Sequence, residues 1–411
     1  MQTSDNTHLT YCTNIHAGET WPEVFQSLKA YVPPLKQRLC PRQPFGIGLR
    51  LSDQASRVLA EPENLLQFKN WLTGNGLYVA LINGFPYGGF HGQRVKDDVH
   101  RPDWTTPQRR DYTIRLAQIL TELLAISPFP DLEGGISTSP ISYRPWHTAE
   151  QAGPVLESGC LHLAETVAEL VRISMEKGKT IHLDIEPEPD GMIDHVQDTI
   201  DFFNHKLIPT VTGYLAGKLS VGKEEAENLA RTHLQLCYDV CHFAVMYEDP
   251  AAAIKAFGEN GIAIGRVQIS AALKADLPEN PAHRKPLAEA FQNLAESTYL
   301  HQVTVRNSEF GTLNSELKQY RDLPDALPHI HDSNATEWRT HFHVPVFAES
   351  YGLLQSTQDD ILKIVSLQKP KPVTRHLEVE TYTWEVLPEE LKTSLLDSIE
   401  REMRWVLAKL A

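Results

Sequence analysis

The chain has 411 residues, 41% of them hydrophobic, which is enough for a large buried core, and its formal net charge is −15. That charge argues against a nucleic-acid partner, because phosphate binding requires a basic face and the densest basic spot is the pair Arg109-Arg110. No apolar run reaches the roughly 18 residues of a membrane span, no secretion signal opens the chain, and five sparse cysteines fit a reducing compartment, so we expect a cytoplasmic protein without a membrane span.

Short β-branched runs alternate with helical stretches, as is typical of a parallel α/β architecture. The predicted strands are Tyr11–Ala17, Phe45–Ser52, Leu77–Asn83, Gly135–Tyr143, Thr180–Glu186, Leu234–Val240, Ile262–Ser270 and Arg375–Thr381. Eight strands indicate a (β/α)₈ barrel, whereas a dinucleotide-binding sheet would need a Gly-rich turn after strand one, where residues 16–19 read HAGE. We predict a single domain over residues 1–411, closed by a helix from Pro388 to Ala411.

Two segments depart from the repeat. The loop Gly84–Trp104 combines aromatic residues with glycines, and it is either a lid that excludes water or a packed surface loop. As a lid, it could grip an anionic substrate group through His91, Arg94 and Lys96. Residues 271–372, after strand seven, do not continue the repeat, and we predict an irregular insertion there.

Polar and titratable side chains gather at the C-terminal ends of the predicted strands, where barrels of this kind carry their catalytic groups. They are Glu186 and Glu188 after strand five, Asp239 and His242 after strand six, Gln268 on strand seven, His341 and His343 in the insertion, and Glu378 and Glu380 on strand eight. Carboxylates and imidazoles that converge from different strands suit Zn²⁺, Mn²⁺ or a similar divalent ion. The sequence therefore predicts a metal site at this end of the barrel.

Each of these residues also has an ordinary structural interpretation. Glu186 could cap a helix, while Asp239 and His242 could form a turn and a hydrogen-bonded core histidine. His341 and His343 are less easily explained, because two imidazoles in an apolar strand are costly to bury unless they are bonded. It is the combination over four strand ends that favours a metal site.

The order of these residues resembles that of the xylose-isomerase-like TIM barrels, which include sugar isomerases, ketose epimerases and endonuclease IV. The resemblance implies a shared metal site formed by Glu186, Asp239, Gln268 and Glu380, and a further zinc site formed by His242, His341 and His343. Gln268 stands where the relatives usually have a histidine, and His341 stands in the place of an aspartate. Strands three and four lack the histidines that complete the outer zinc site of endonuclease IV, which argues against a three-zinc nuclease.

Longer motifs resemble the metabolite traffic protein EboE family over nearly the whole chain. They are LTYCTNIHAGETW, FPYGGFHGQRVKDDVHRPDW, LDIEPEPDG, YDVCHFAV and RTHFHVPVF. This resemblance implies a bacterial gene cluster that also encodes a prenyltransferase, a TatD-like hydrolase and a sugar-phosphate-cyclase-like protein, with a functional link to those proteins. It implies a role in making or moving a secondary-metabolite precursor toward the periplasm, and it implies no particular reaction.

We expect one or two divalent ions, zinc or manganese, and isomerase or epimerase chemistry on a small polyol, sugar or cyclitol-like substrate. As in the resembling ketose epimerases, Glu186 and Glu380 would pass a proton between the faces of the substrate. The candidate substrate-binding residues are His16, Asn83, His91 and Glu188, although His16 could instead be packed in the core. Two alternatives stay open: a non-catalytic metabolite carrier, and a phosphoester hydrolase that uses metal-bound hydroxide at the three histidines.

Overall fold

The computed structural model describes residues 1–3, 5–91, 95–295, 298–308, 317–382 and 393–411. With strands numbered along the chain, the barrel sheet contains β1 His8–Tyr11, β2 Phe45–Arg50, β3 Leu77–Asn83, β4 Gly134–Thr138, β5 Ile181–Ile185, β6 Leu234–Asp239, β7 Ile264–Ile269 and β14 His376–Val379. These eight strands are parallel, in the order β1-β14-β7-β6-β5-β4-β3-β2. A parallel bridge from Cys12 to Gly48 links the edge strands β1 and β2. The sheet therefore closes into the predicted (β/α)₈ barrel.

The helices lie between and after the strands. Those within the described residues are α1 Trp21–Leu39, α2 Asp53–Leu59, α3 Pro62–Gly74, α4 Pro107–Leu124, α5 Ala149–Lys177, α6 Val196–Phe202, α7 Ile208–Leu219, α8 Lys223–His233, α9 Val240–Val245, α10 Pro250–Glu259, α11 Lys285–Leu294, α12 Leu323–Ala326, α13 Gln358–Leu367 and α14 Leu395–Leu410. Part of the predicted closing helix falls outside the described residues, and α14 is its described part. None of these helices combines the length and apolarity needed to cross a membrane.

The first strand is the one that the sequence placed least well. We predicted Tyr11–Ala17, but β1 covers His8–Tyr11, and Thr13–Ile15 form a short 3₁₀ turn. The turn has a physical reason, because it points the side chain of Asn14 toward Glu380 at the end of β14, with Nδ2 donating to Oε1 at 2.7 Å. His8, the first residue of β1, is fully buried.

The barrel interior is polar at three successive levels. Alternate residues of a strand point to the same face, so β5 and its end carry His182, Asp184 and Glu186 inward, while β14 and its end carry His376, Glu378 and Glu380. At the middle level, Arg266 of β7 donates Nε to Asp184 Oδ2 at 2.9 Å and Nη1 to Glu378 Oε2 at 3.1 Å. All three of these side chains are fully buried.

Glycines on neighbouring strands make room for this interior network. A Cβ added to Gly48 of β2 would lie 1.5 Å from Glu378 Oε1, and one added to Gly265 of β7 would lie 1.9 Å from Asp184 Oδ1. Each distance is far below van der Waals contact, so these positions exclude any side chain. Charged residues therefore fill volume that the large aliphatic side chains of most such barrels would occupy.

The insertion after β7 is more regular than expected. It contains β8 Leu273–Asp276, β9 Val303–Asn307, β10 Lys318–Tyr320, β11 Ala335–Thr340, β12 Ser350–Tyr351 and β13 Leu354–Ser356. These strands form one sheet in the order β10-β9-β11-β8-β13-β12, with antiparallel pairing throughout. The expectation of an irregular segment was wrong because most of these strands are too short to show an alternating pattern. That barrel and insertion form one domain stays a prediction.

Candidate metal centre

Four of the predicted ligands lie at the C-terminal ends of barrel strands. Glu186 follows β5, Asp239 ends β6, Gln268 lies in β7 and Glu380 follows β14. None is more than 4% exposed. Strand pairing brings Asp239 beside Gln268, and Gln268 beside Glu378 at the level below Glu380. These positions bring Glu186, Asp239 and Glu380 to the C-terminal mouth of the barrel, with Gln268 on the neighbouring strand. That the four bind metal stays a prediction.

The three predicted histidines come together at the same mouth. His242 lies in the first turn of α9, and His341 and His343 follow β11 of the insertion. The centroids of the three rings lie 4.8, 5.3 and 5.6 Å apart. The insertion therefore supplies two imidazoles that the barrel strands themselves do not carry.

All three rings are held in the same tautomer. Nδ1 of His242 lies 2.9 Å from Pro187 O, that of His343 lies 3.2 Å from Glu380 O, and that of His341 lies 2.7 Å from Gln302 Oε1. An oxygen acceptor requires a proton on each Nδ1, which leaves the lone pair on each Nε2. A histidine that donates one ring nitrogen to an oxygen is the usual form of a metal ligand.

Asp239 combines a structural role with contacts to the histidines. Its Oδ1 accepts from the backbone N of His242 at 3.1 Å, which caps α9, and from Ser270 Oγ at 2.7 Å. Its Oδ2 lies 3.9 Å from His242 Nε2 and 3.8 Å from His343 Nε2. Burial opposes ionisation, but His242 and His343 outweigh it, so the pKa of Asp239 is lowered. The same carboxylate therefore caps α9 and faces two histidines, and its role as a metal ligand stays a prediction.

Glu188 belongs to this cluster, although the sequence suggested a substrate contact. Its Oε1 lies 4.0 Å from His341 Nδ1, and its Oε2 lies 3.5 Å from Nε2 of His100. His100 is fully buried in the loop Gly84–Trp104. Gln302 was also missed: its Nε2 donates to Pro189 O at 3.0 Å, which turns Oε1 toward His341. No local sequence pattern marks His100 or Gln302, since both residues reach the mouth only through the packing of segments that are distant in the sequence.

Glu380 is held by two amide side chains. Its Oε1 accepts from Asn14 Nδ2 at 2.7 Å and from Asn83 Nδ2 at 2.9 Å. Asn83, a predicted substrate-binding residue, therefore contacts a predicted catalytic carboxylate. His91, another predicted substrate residue, contacts the backbone O of Asn14 through Nε2, and its Nδ1 lies 3.3 Å from Glu19 Oε1. His91 thus supports Asn14 at the rim of the mouth.

Glu186 has a different environment. Burial is the main cause of its raised pKa, and the charges of Glu380, Asp239 and Glu188 raise it further. Burial raises the pKa of Glu380 as well, again with Asp239 adding to the effect. His242 Nδ1 is 3.9 Å from Glu186 Oε1. The mouth therefore holds carboxyl groups that keep a proton well above the usual pH, unless a cation joins them.

Gln268 is the least certain of the four strand-end ligands on chemical grounds. Its Oε1 accepts the thiol hydrogen of Cys237 at 2.9 Å, and its Nε2 forms no hydrogen bond within the described part of the chain. An amide NH₂ donates hydrogen bonds and cannot bind a cation. Metal ligation by Gln268 would require the amide to turn round, so that Cys237 accepts and Oε1 faces the ion. Its ligand role stays a prediction.

The structure does not bring His16 to the cluster. Its Nε2 lies 3.0 Å from Tyr11 OH, and its ring stacks on Tyr31 with centroids 4.6 Å apart. Burial lowers the pKa of His16 to about 3. These contacts correspond to the packed-core alternative, in which His16 fills space between the end of β1 and α1.

The loop Gly84–Trp104 is attached at several points to the insertion. The backbone N–H groups of Val95 and Lys96 both donate to Thr298 O at 2.9 Å, and Lys96 Nζ lies 2.6 Å from Asp322 Oδ2. These contacts favour the packed loop over the lid. They also engage Lys96 in an ion pair, and Arg94, the other predicted anion-binding cation, lies outside the described residues.

Aromatic rings cover the histidines. Phe90, Tyr299 and Tyr382 come from three different segments, and their centroids lie 5.0 to 5.4 Å apart. The ring of Tyr382 stacks on His343 at 4.6 Å. This arrangement shields the mouth from bulk water, a condition under which charges interact more strongly.

The donor atoms fit a divalent ion. Single ligand atoms from Asp239, His242 and His343 lie within 4.8 Å of one another, and so do those from Glu188, His242 and His341. Buried polar atoms with no hydrogen-bond partner among the described residues include Glu186 Oε2, Glu188 Oε2, Asp239 Oδ2 and His341 Nε2. Leaving such atoms unpaired is costly. Carboxylate oxygen and imidazole nitrogen are the donors that Zn²⁺ and Mn²⁺ accept.

Comparisons with known proteins place the chain among distant structural neighbours. No family model matches the sequence, and no curated protein matches it. Solved structures that resemble it include the IolI protein with a bound zinc atom (10% identity, 98% of this chain and 99% of that chain, TM-score 0.48). Another is an L-ribulose 3-epimerase, with 12% identity, coverage of 98% of this chain and 94% of that chain, and a TM-score of 0.45. A third is a xylose isomerase domain protein from Salmonella typhimurium, with 11% identity, coverage of 100% and 99% of the two chains, and a TM-score of 0.43. At these identities and scores, no substrate, metal or reaction carries over to the chain.

Proposed function

We propose that the protein is a metal-dependent enzyme that moves a proton on a small polyol, sugar or cyclitol-like substrate, as an isomerase or epimerase does. The observation that carries the proposal is the convergence of Glu186 and Glu380 with Asp239 and the histidines in one buried mouth. A divalent ion bound by these residues would polarise a substrate carbonyl and acidify the neighbouring C–H group. Zinc and manganese suit the donor set, and one or two ions would fit the two donor groups.

The two proposed catalytic carboxyls differ in how they are held. Glu380 receives two amide hydrogen bonds on Oε1, which fix its plane. Glu186 Oε2 is buried and has no hydrogen-bond partner among the described residues, so it is the better placed to accept a proton. Glu186 would take the proton from carbon and Glu380 would return one, because burial raises the pKa of each carboxyl and makes it a better proton carrier than an exposed one. The aromatic cover would keep water from quenching the carbanion-like intermediate.

Hydrogen exchange tests this proposal directly. The metal-replete protein is incubated in D₂O with ketoses, polyols and cyclitol ketones, and NMR follows the appearance of deuterium at carbon and of the epimer. We expect Glu186→Gln and Glu380→Gln each to slow exchange by about 10²–10⁴-fold, the usual contribution of a general acid or base. Glu402→Gln is the matched control, since Glu402 is also a buried glutamate but contacts Thr381 and Val346 behind the mouth. Metal-dependent binding of a panel member without any exchange would contradict the enzyme proposal and favour the carrier.

A phosphoester hydrolase is the second candidate. One observation favours it: the donor atoms of Asp239 and His343, and those of Glu188 and His341, all lie within 4.8 Å of a His242 nitrogen, so two ions would lie close together, with His242 a ligand to one of them. Paired ions about 4 Å apart are typical of metallohydrolases. Anomalous scattering from zinc-soaked crystals would distinguish the two. A pair of peaks in the mouth, together with turnover of a nitrophenyl phosphoester, would favour hydrolysis, whereas one peak with C–H exchange would favour the isomerase.

We also propose that the protein acts with others of the EboE gene cluster on a secondary-metabolite precursor. The support is the set of long motifs whose residues occupy the mouth, among them LDIEPEPDG with Glu186 and Glu188 and RTHFHVPVF with His341 and His343. An extract from a producing bacterium that lacks this chain should accumulate the substrate, and the purified metal-replete protein should convert it.

A further inference from the structure

A second group of metal-type donors lies at the opposite end of the barrel. His182 is near the start of β5, His376 begins β14, and Glu133 directly precedes β4. One ligand atom from each of these three residues lies within 4.8 Å of the other two. They occupy the N-terminal end of the strands, two levels below Glu186 and Glu380, so they are no part of the metal centre at the mouth.

His182 has the hydrogen bond expected of a metal ligand. It is 1% exposed, and its Nδ1 lies 2.5 Å from Asp184 Oδ1. Asp184 also accepts from Arg266, so it acts as an acceptor toward both neighbours and the proton lies on Nδ1 of His182. Its Nε2 keeps the lone pair and, within the described residues, has no hydrogen-bond partner. A carboxylate–histidine pair of this kind orients the ring and raises the basicity of the other nitrogen toward a metal.

His376 differs from His182 because both of its ring nitrogens, and not one, lack a hydrogen-bond partner among the described residues. It is 1% exposed, and neither ring nitrogen forms a hydrogen bond with any described residue. A buried imidazole without any partner is costly, because it has lost hydration at both nitrogens and gained nothing in return. Its ring centroid lies 5.8 Å from that of His182. An ion between the two rings would bind Nε2 of His182 and one ring nitrogen of His376 at once.

Solvent reaches this end of the barrel. Glu133 is partly exposed, and a surface depression of about 540 Å³ adjoins it, lined by Phe129, Asp131, Leu132 and Arg375 among others. The lining residues come from the segments that lead into β1, β4 and β14. The partly exposed Glu133 is thus the member of the group that lies nearest to solvent.

We propose that Glu133, His182 and His376 bind a divalent transition-metal ion of the zinc class at the base of the barrel. Two imidazoles and a carboxylate, with one position open to water, form a ligand set that Zn²⁺, Co²⁺ and Ni²⁺ accept. The ion would tie β4, β5 and β14 together across the interior. Its role is structural, because the N-terminal face of such barrels governs stability and the opposite face governs chemistry.

Zinc stoichiometry tests the site. The full-length protein is stripped with chelator, dialysed against ZnCl₂ and analysed for bound zinc. We expect His376→Gln and Glu133→Gln each to bind one zinc fewer per chain than the parent, and to lose the part of the zinc-dependent rise in melting temperature that this ion supplies. His233→Gln is the matched control: His233 is also buried at this end of the barrel, but its Nδ1 bonds Ile181 O at 2.6 Å and it is outside the donor group.

Crystals soaked in ZnCl₂ give the second measurement. An anomalous peak between His182 and His376 is expected in the parent protein and in Glu186→Gln, whatever happens at the mouth. Parent crystals with no peak there, or a zinc count that His376→Gln and Glu133→Gln leave unchanged, would overturn the proposal and make the three residues a packed cluster. Failure of the proposed enzyme function would instead appear as lost exchange at the mouth with the basal peak intact.

Discussion

Arg266 is the internal counter-ion of the barrel, and replacing it gives the sharpest test of the interior network. Arg266→Met removes the cation that bonds Asp184, Glu378 and the carbonyl of Ile82 at 2.9, 3.1 and 3.2 Å. Breaking a buried ion pair by removing one partner costs about 3–5 kcal/mol. Two buried carboxylates lose their partner here, so we expect a value near the upper end of that range.

Urea denaturation followed by fluorescence measures the effect. For a chain of this size, a loss of that order lowers the unfolding midpoint by about 1 M. Arg38→Met serves as control, because Arg38 bonds Asp397 and Glu400 at an exposed surface position, and its midpoint should stay unchanged. Restoring neutrality with Arg266→Met/Glu378→Gln should recover part of the loss.

The stability of Arg266→Met as a function of pH is the measurement that can refute the counter-ion interpretation. Burial already raises the pKa of Glu378, and Arg266 is the main group opposing that rise. Without Arg266, the folded-state pKa of Glu378 climbs further, so the folded variant is favoured when this group is protonated. The destabilisation should therefore shrink as pH falls through the raised pKa. A midpoint within error of the parent, or a loss that is the same at pH 5 and pH 8, would refute the counter-ion interpretation.

Three further predictions follow from single contacts. Gln302→Ala removes the acceptor that orients His341 and should weaken zinc binding at the mouth by about 10–100-fold in competition titrations. Gly48→Ala places a methyl group 1.5 Å from a carboxylate oxygen of the interior network, so it should lower the free energy of unfolding in urea titrations by about 1–3 kcal/mol. Its control is Gly258→Ala in α10, where nothing lies within 4 Å, and this variant should raise the free energy of unfolding by about 0.5–1 kcal/mol. Burial raises the pKa of Glu402 to about 7. The stability that its protonated form contributes is therefore lost as pH rises from about 4.5 to 7. Because glutamine cannot ionise, the melting temperature of Glu402→Gln should fall less than that of the parent over this pH interval.

The strand ends were predictable because two local rules coincide there. Apolar β-branched runs show where the strands lie, and the carboxyl ends of parallel strands in a barrel meet at one face. Glu186, Asp239 and Glu380 follow such runs directly, so their meeting could be inferred without knowing the pairing. His341 and His343 needed only the further observation that two imidazoles in an apolar stretch require partners.

Other parts of the mouth depend on packing that no local pattern encodes. His100 lies in a loop without periodicity, and the rings of Phe85, Tyr143 and Trp146 pack around it beside Glu188. Gln302 and His341 are far apart in the sequence and meet because β9 and β11 pair. We predicted Asn14 within a strand because its neighbours show no turn signal. Its turn is stabilised by a hydrogen bond to Glu380, which lies far away in the sequence. Strands as short as β10 and β12 are equally invisible, because two or three residues cannot show an alternation.

The interior levels of the barrel differ in whether the chain supplies a counter-ion for the buried carboxyls. At the middle level the chain supplies its own, since Arg266 neutralises Asp184 and Glu378. The level above holds four buried carboxyls: Glu186, Glu188, Asp239 and Glu380. Among the described residues, their ion-pair partners are histidines and no lysine or arginine. Several buried like charges cannot all ionise together, so without a further cation some of these carboxyls keep their protons, which is the direction in which burial moves the pKa values of Glu186 and Glu380.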